Sequence, residues 1–309
     1  MKQIMQFRSL VFTGFILIAT MLNVSAQQAK KTKVFLFAGQ SNMDGRGDAS
    51  MLTEEDLNGL SFAQKRIQFY YKGSVQNTKN PLIMDGVLNV TDPWQFVKEK
   101  FRLKKCFGPE LFFGINLSKA YPNQNFVFIK RSQGGTSLYG AWNPEWSIAK
   151  AKLINEENKP KLFNDFIETA DEQLSKLPPG SYELAGMIWV QGESDSGNKY
   201  GALPSETYGE NIRKLIQKVR VHYNAPELPF LMLNVGSKKV VKGMKEAVKS
   251  LPNVTLVEKS NDPLNDNYTP TYTHFWNGKP ACHYNYIGMK KIGELFFDSY
   301  KSNYPKFIE

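Results

Sequence analysis

The sequence predicts an α/β protein in which helices cover both faces of a central parallel sheet. Short apolar runs, rich in aliphatic and aromatic residues, alternate with stretches of helical pattern. Runs of this kind are typical of strands buried on both faces, and their alternation with helices is typical of a parallel sheet. A chain of 309 residues is long for one domain but within the range of single α/β folds.

The strand and helix candidates follow one another along the chain. The four clearest strand candidates are 34–38, 126–130, 185–190 and 230–235. Two weaker candidates are 66–70 and 254–257. The helical patterns are 109–120, 161–177, 208–223, 240–250 and 286–301. In the third helix, apolar residues recur at helical spacing on one side. Two turn-rich stretches, 72–107 and 260–280, do not fit the alternation, and long loops in compact domains are often functional.

Residues 1–26 have the three parts of an export signal. Lys2 and Arg8 form a positive start, residues 10–22 are uncharged and largely apolar, and the small residues 24–26 form a cleavage site. The apolar part is shorter than the roughly 20 residues that a membrane span needs. We therefore predict a signal peptide cut after Ala26, a single domain over 27–309 and a secreted or periplasmic protein. An uncleaved membrane anchor is the alternative.

Composition limits the partners of the chain. Its formal net charge is +10, but the basic residues are scattered, and the lysines within 238–249 are better explained as a solvated helix face than as a nucleic-acid site. We expect no nucleic acid, although anionic polysaccharide could be attracted weakly. Cys106 and Cys282 fit no zinc pattern and are expected to be buried thiols, with a single bridge between them left open.

Two polar motifs follow directly on predicted strands. Ser41 comes after the first strand in G-Q-S-N-M, and Gln191 comes after the third in W-V-Q-G-E-S-D. The carboxyl ends of parallel strands are where such sheets place their active sites. Ser41 is therefore our candidate nucleophile, the alternative being an ordinary helix N-cap serine. The turn is not the G-x-S-x-G elbow of the α/β-hydrolases.

A serine nucleophile needs a base, and the chain has three histidines. His222 ends an amphipathic helix and is expected at the surface. His283 opens the last helix and is our candidate base, with His274, in an aromatic loop, as the second choice.

Oxyanion donors are expected after the second and third clear strands. The pair Gly134 and Gly135 lets backbone N–H groups approach a substrate closely, although a plain turn is an equal explanation. Gln191 adds a side-chain amide. Nucleophile, base and donors together indicate a serine esterase that needs neither a metal nor a cofactor.

These motifs resemble the SGNH-type esterases of carbohydrate esterase family six and the sialate O-acetylesterase-like group. The resemblance extends over about residues 33–300 and rests on G-Q-S-N-M with G-R after it, F-G-P-E-L-F-F-G at 107–114, Q-G-G-T-S-L at 133–138, W-V-Q-G-E-S-D at 189–195 and H-x4-G at 283–288. It implies a flavodoxin-like three-layer α/β/α sandwich with a central parallel sheet. It also implies Ser41 as nucleophile, His283 as base, and the Ser41 N–H, a glycine of the 134–135 pair and Gln191 as oxyanion donors.

The chain departs from many relatives at one position. They carry an aspartate three residues before the histidine, whereas this chain has Pro280. Glu193 is our first choice for the acid that orients His283, with Asp195 and Asp266 as fallbacks. The alternative for Glu193 is a structural carboxylate that binds the Ser41 turn or Arg131.

The predicted activity is hydrolysis of O-acetyl esters on carbohydrate. Acetylated hemicellulose, pectin-type polysaccharide and O-acetyl sialic acids all fit as substrates, and Asn42, Tyr139 and Trp142 are expected to line the pocket. The alternatives are a broad carboxylesterase and a carbohydrate-binding protein that kept the fold but lost the third catalytic residue.

Overall fold

A computed structural model describes residues 30–75, 80–273, 275–276, 279–280 and 282–309. Residues Lys31–Glu309 form one compact unit. The predicted signal peptide and His274 lie outside the described residues. None of the helices in the described ranges combines the length and the apolar character that crossing a membrane requires.

The strands within the described ranges are β1 Thr32–Gly39, β2 Gly47–Asp48, β3 Ile67–Val75, β4 Pro81–Val87, β5 Cys106–Phe107, β6 Phe126–Ser132, β7 Tyr182–Val190, β8 Phe230–Leu233, β9 Val254–Val257, β10 Phe275–Trp276 and β11 Lys279–Pro280. The α-helices there are α1 Ser41–Asp44, α2 Glu54–Gln64, α3 Gln95–Phe101, α4 Pro109–Ala120, α5 Ile148–Leu153, α6 Leu162–Ser175, α7 Leu203–Glu206, α8 Tyr208–His222, α9 Lys238–Ser250 and α10 Tyr286–Asn303. Short 3₁₀ turns lie at Ala49–Met51, Asn198–Tyr200 and Pro305–Phe307.

The main sheet has seven strands in the described part of the chain, in the order β4-β3-β6-β1-β7-β8-β9. All neighbouring strands run parallel except β4, which pairs antiparallel with β3 at one edge. Strand β1 is central, and its last residue, Gly39, is in register with Ser132 of β6 and Val190 of β7. The ends of these three strands therefore meet at one edge.

Helices pack on both faces of this sheet. On one face, the Phe35 ring contacts Phe113 of α4 at 5.1 Å and Tyr300 of α10 at 5.0 Å between ring centroids. On the other face, the indole of Trp189 donates a hydrogen bond to the hydroxyl of Tyr208 in α8, at 3.2 Å. The predicted three-layer α/β/α sandwich is thus confirmed, with an antiparallel edge strand added to the parallel sheet.

The sequence did not predict all of the elements. The six strand candidates and five helix candidates are present, with ends that differ by a few residues. However, β4 and α3 lie in the stretch 72–107 that was expected to be irregular, and α2 was not predicted. Strand β4 lies at the sheet edge and buries little of its surface, so it lacks the apolar run that marks the inner strands.

Candidate active site

The turn that carries Ser41 is held at its start and at its end. The Gln40 N–H donates to the Val190 carbonyl of the neighbouring strand at 3.0 Å, and Ser41 then begins the short helix α1. The turn ends at Gly45, whose φ of +100° lies in a region that residues with a Cβ rarely adopt. A Cβ there would also lie 2.3 Å from the Phe107 carbonyl oxygen. The backbone around Ser41 is therefore closely fixed.

A buried ion pair contacts the same turn from the interior of the protein. Lys130, on β6, pairs with Glu110 of α4 at 2.8 Å, and the two side chains are 0% and 1% exposed. The ammonium group also donates to the Asp44 carbonyl at 3.2 Å. A buried charge is tolerated when it is paired and hydrogen-bonded, and here both conditions are met.

Ser41 and His283 lie within hydrogen-bond distance of each other. The Ser41 Oγ atom is 3.0 Å from His283 Nε2, although 242 positions of sequence separate the two residues. Ser41 is 7% exposed and His283 is partly exposed. The ring of Phe101 meets the imidazole edge-on, with centroids 5.2 Å apart. A neutral imidazole in this position can accept the serine proton, which is the arrangement that activates a serine nucleophile.

Asn42 connects the Ser41 turn to the segment around His283. Its Nδ2 atom donates to the Cys282 carbonyl at 3.1 Å, and its Oδ1 atom accepts from the Tyr284 N–H at 3.4 Å. The same Nδ2 atom donates to Glu193 Oε1 at 2.7 Å. Asn42 is 1% exposed, so the expectation that it lines the substrate pocket is corrected: its amide is used inside the protein.

The structure places Glu193 against the Ser41 turn. The sequence offered two structural contacts for this carboxylate, the Ser41 turn and Arg131. The observed contact is with Asn42 of the turn, whereas Arg131 pairs with Asp165 at 2.6 Å. Oε2 of Glu193 is buried and has no hydrogen-bond partner among the described residues. Burial raises the pKa of Glu193, and the hydrogen bond from Asn42 opposes this shift.

Gly134 lies beside Ser41. A Cβ at Gly134 would be 3.5 Å from the Cβ of Ser41, so the two segments are in direct contact. The Gly134 N–H donates to Ser74 Oγ at 3.0 Å, and that hydroxyl donates to Asp44 Oδ2 at 2.8 Å. Sequence analysis missed Ser74 and Asp44. Asp44 follows Ser41 within the same motif, but Ser74 lies in the stretch expected to be irregular.

The loop after Gly134 is exposed at its tip and anchored by two buried carboxylates. Gly135 is exposed and has a φ of +67°. Asp195 accepts the N–H groups of Leu138 and Tyr139 at 2.8 and 2.9 Å. Glu156 accepts the N–H and hydroxyl of Ser137 at 3.0 and 2.9 Å and the N–H of Ala141 at 2.9 Å. Burial raises the pKa of Asp195 to about 7, against the hydrogen bonds that favour its charged form.

The structure places Gln191 behind the site and not at its surface. The residue is 0% exposed, and its amide nitrogen lies 2.6 Å from Asp195 Oδ2 and 3.2 Å from the Thr136 carbonyl. Its side-chain oxygen accepts from Tyr208 at 3.1 Å. The prediction that this amide faces the oxyanion is therefore corrected, because both of its hydrogens have partners within the protein.

The two aromatic residues predicted to line the pocket are also part of the interior. Trp142 is 0% exposed; its indole donates to Thr136 Oγ1 at 3.0 Å and meets the Trp189 ring edge-on. Tyr139 is 8% exposed, and its backbone N–H is held by Asp195. Both assignments are corrected, because side chains buried to this extent belong to the interior of the protein.

The remaining acid and histidine candidates among the described residues lie at the surface. Asp266 is exposed, and His222 is exposed and paired with Asp171 at 2.9 Å, as expected for a surface histidine. Cys106 and Cys282 do not pair; Cys106 is a buried thiol, but the same expectation is wrong for Cys282, which is exposed. Within the described ranges, no cluster of three His, Cys, Asp or Glu side chains has the geometry to hold a metal ion.

A serine paired with a histidine at the carboxyl edge of a mostly parallel, helix-covered sheet is the arrangement of α/β serine hydrolases. The chain belongs to the family described as "carbohydrate esterase, sialic acid-specific acetylesterase", whose model matches residues 31–285. This match confirms the resemblance deduced from the motifs.

Individual proteins are also similar to this chain. A probable carbohydrate esterase of Arabidopsis thaliana is 25% identical over 243 residues, which are 75% of this chain and 81% of that protein. A solved structure of a protein from the same plant has a TM-score of 0.56 at 20% identity and covers 89% of this chain and 99% of its own. A carbohydrate acetylesterase from Xanthomonas citri has a TM-score of 0.55 at 13% identity, over 88% of this chain and 57% of its own. At these identities the two structures show a shared fold.

Proposed function

We propose that this protein hydrolyses O-acetyl esters on carbohydrate through an acetyl-enzyme formed on Ser41. The observation that carries the proposal is the 3.0 Å contact between Ser41 Oγ and His283 Nε2 at the carboxyl edge of the sheet. Membership of a carbohydrate esterase family supports the acetyl ester on a sugar as the substrate class.

In the first half of the reaction, Ser41 Oγ attacks the acetyl carbonyl carbon and gives its proton to His283 Nε2. The carbonyl oxygen becomes an oxyanion, for which the backbone N–H groups of Ser41 and Gly135 are the proposed donors. Within the described residues neither N–H donates to another group, whereas the Gly134 N–H already donates to Ser74. Collapse of this intermediate breaks the bond to the sugar oxygen, which leaves with the proton from His283.

In the second half, water attacks the acetyl-enzyme and His283 takes its proton. The new tetrahedral intermediate is held by the same two N–H groups. Its collapse returns the proton to Ser41 Oγ and releases acetic acid, which ionises to acetate and a proton in solution. Each turn of the cycle thus consumes one ester and one water and restores both side chains.

The proposal includes export of the enzyme. The positive start, apolar run and small-residue site within residues 1–26 support cleavage after Ala26, which leaves a single domain of residues 27–309. An exported esterase would meet acetylated polymers such as hemicellulose or pectin-type polysaccharide, or O-acetyl sialic acids on glycans.

The test is acetate release from acetylated xylooligosaccharides and from O-acetyl sialic acid, with wild type beside Ser41→Ala and His283→Ala. We expect release from at least one substrate by the wild type and a loss of about 10³-fold or more in each variant, as in other Ser–His enzymes. Unchanged thermal unfolding in the variants is the control for folding.

Each other outcome identifies a different function. Turnover that survives Ser41→Ala would remove Ser41 from the role of nucleophile. Wide acceptance of aryl acetates with no preference for acetylated sugars would indicate a broad carboxylesterase. Glycan binding without turnover, unchanged by Ser41→Ala, would indicate a binding protein of the same fold.

A further inference from the structure

We propose that Asn42 and Glu193 form a positioning pair that holds the imidazole of His283 at Ser41, with Glu193 acting through Asn42. This inference rests on the proposed function, because it concerns the same serine and histidine. It assigns Glu193 a different role from the one expected from the sequence, where it would touch the imidazole directly as the third catalytic residue.

The amide of Asn42 binds the chain on both sides of His283. It donates to the carbonyl of the preceding residue, Cys282, at 3.1 Å and accepts from the N–H of the following residue, Tyr284, at 3.4 Å. A side-chain amide that makes both contacts restrains the residue between them in position and in rotation. Asn42 is adjacent to Ser41, so one turn of chain supplies both the nucleophile and the group that fixes its base.

Glu193 determines which way the Asn42 amide points. Its carboxylate accepts a hydrogen bond from Nδ2 at 2.7 Å, the shortest of the contacts that Asn42 makes. If the amide turned over, Oδ1 would face the carboxylate, and two acceptors would repel. The same rotation would bring the amide nitrogen, a donor, against the Tyr284 N–H. It would also bring the amide oxygen, an acceptor, against the Cys282 carbonyl. The carboxylate therefore selects the one orientation that binds the histidine segment.

This positioning pair offers a reason why a proline is tolerated three residues before His283. Glu193 comes from the end of β7, Asn42 follows β1 and His283 precedes α10, so the pair ties the histidine segment to two adjacent strands of the sheet. Rigid strands are suitable supports because small displacements of a catalytic group are costly. A shift of about 1 Å can lower a rate by about 100-fold.

The test compares kcat in Asn42→Ala, Glu193→Ala, Glu193→Gln and the Asn42→Ala/Glu193→Ala double variant. Each alanine variant should lower kcat by about 100-fold with little change in KM, because positioning of the base is lost while substrate binding is kept. Glu193→Gln keeps an acceptor for Nδ2 and should lower kcat by no more than about fivefold, the neutral hydrogen bond being weaker than the charged one. The double variant should be no slower than Asn42→Ala.

Glu227→Ala is a matched control. Glu227 accepts a hydrogen bond from Asn253 at 2.7 Å, the same pair of chemical groups, but it lies before β8, at the opposite edge of the sheet. Its removal should leave kcat unchanged.

A direct catalytic role for the Glu193 carboxylate gives the opposite pattern. Glu193→Gln would then lower kcat by several orders of magnitude, as when the acid of a Ser-His-Asp triad becomes an amide, and the inference would be overturned. Multiplying losses in the double variant would also overturn it.

The experiment has a readout that does not need turnover. The ¹⁵N resonances of the His283 imidazole should be shifted or broadened in Asn42→Ala and Glu193→Ala, and should stay close to wild type in Glu193→Gln. If the wild type releases no acetate, the proposed function fails. The positioning inference then stands or falls on these resonances alone.

Discussion

At the scale of single residues, burial decides which polar groups face the substrate. Asn42 and Gln191 carry amides suited to ligand binding, yet both are closed off by neighbours from other parts of the chain. Position along the sequence places a residue at the end of a strand, but it does not tell whether its side chain points outward. The contact between Ser41 and His283 could be anticipated, because the chain has only three histidines and His283 is the one that opens the last helix. The inward orientation of Gln191 could not, since it depends on Asp195, Thr136 and Tyr208.

Asp195 is expected to make stability depend on pH near neutrality. Burial raises its pKa in the folded protein to about 7 from a reference value of 3.8. Between these values the folded state holds a proton that the unfolded state has lost, so its contribution to stability falls as pH rises through about 7. A shift of about three units corresponds to about 4 kcal/mol.

The measurement is the free energy of unfolding by urea at pH 5 and pH 8, in wild type and Asp195→Asn. The wild type should lose about 3 kcal/mol more than the variant between the two pH values. The variant should be less stable than wild type at pH 5, because the asparagine side chain would place an N–H donor against the N–H groups of Leu138 and Tyr139. Parallel pH profiles for the two proteins would contradict the raised pKa.

At the scale of elements, inner strands could be predicted and marginal elements could not. Strands β1 and β6 are buried along nearly their whole length. Strands buried on both faces need a run of apolar residues, and such a run can be recognised in the sequence. Strand β4 exposes alternate residues and contains Pro81 and Gly86, and α2 buries few of its residues. Helix α3 packs its apolar side in a small separate cluster with Leu103 and Cys106. These elements depend on tertiary contacts, which no local sequence pattern predicts.

The turn between α1 and β2 is expected to be intolerant of a side chain at Gly45. Gly45→Ala would place a methyl group 2.3 Å from the Phe107 carbonyl oxygen at a φ of +100°. We expect a loss of more than about 2 kcal/mol in stability, from strain and overlap together, and a lower kcat because the Ser41 turn must shift.

The control is Gly86→Ala in β4, where a Cβ meets nothing within 4 Å. Thermal unfolding and acetate release should stay close to wild type there, or stability should rise slightly. Equal effects of the two substitutions would mean that the Gly45 turn is not constrained as described.

At the scale of the whole molecule, the layered α/β architecture could be predicted, because most of the strands and helices alternate along the chain. A parallel sheet with helices on both faces follows from that alternation. The position of β1 between β6 and β7 brings the Ser41, Gly134 and Gln191 segments together, and this order is not visible in any single motif. The sequence therefore predicted the sheet edge at which the candidate residues meet, while their arrangement at that edge required the structure.

The proposal that residues 1–26 are an export signal gives a prediction for the chain of residues 1–309. Expressed in a secreting host with its own N-terminus, the protein should be recovered from the periplasm or medium beginning at Gln27. Mass spectrometry of the intact protein measures this directly. Loss of Lys2 and Arg8 would lower the formal net charge from +10 to +8. Recovery of the full-length chain in the membrane fraction would favour an uncleaved anchor.

The distance along the chain between Ser41 and His283 has a consequence for folding. The two residues are separated by 242 positions, and the histidine stands just before α10, which packs against α4 and β1. Contacts of such long range form only after the loop between them has closed, so they are among the slow steps of folding. A chain whose last helix has detached would keep most of its sheet but would no longer hold His283 against Ser41, the contact on which the proposed function depends. Esterase activity should therefore be lost before the bulk of the secondary structure as the protein is denatured.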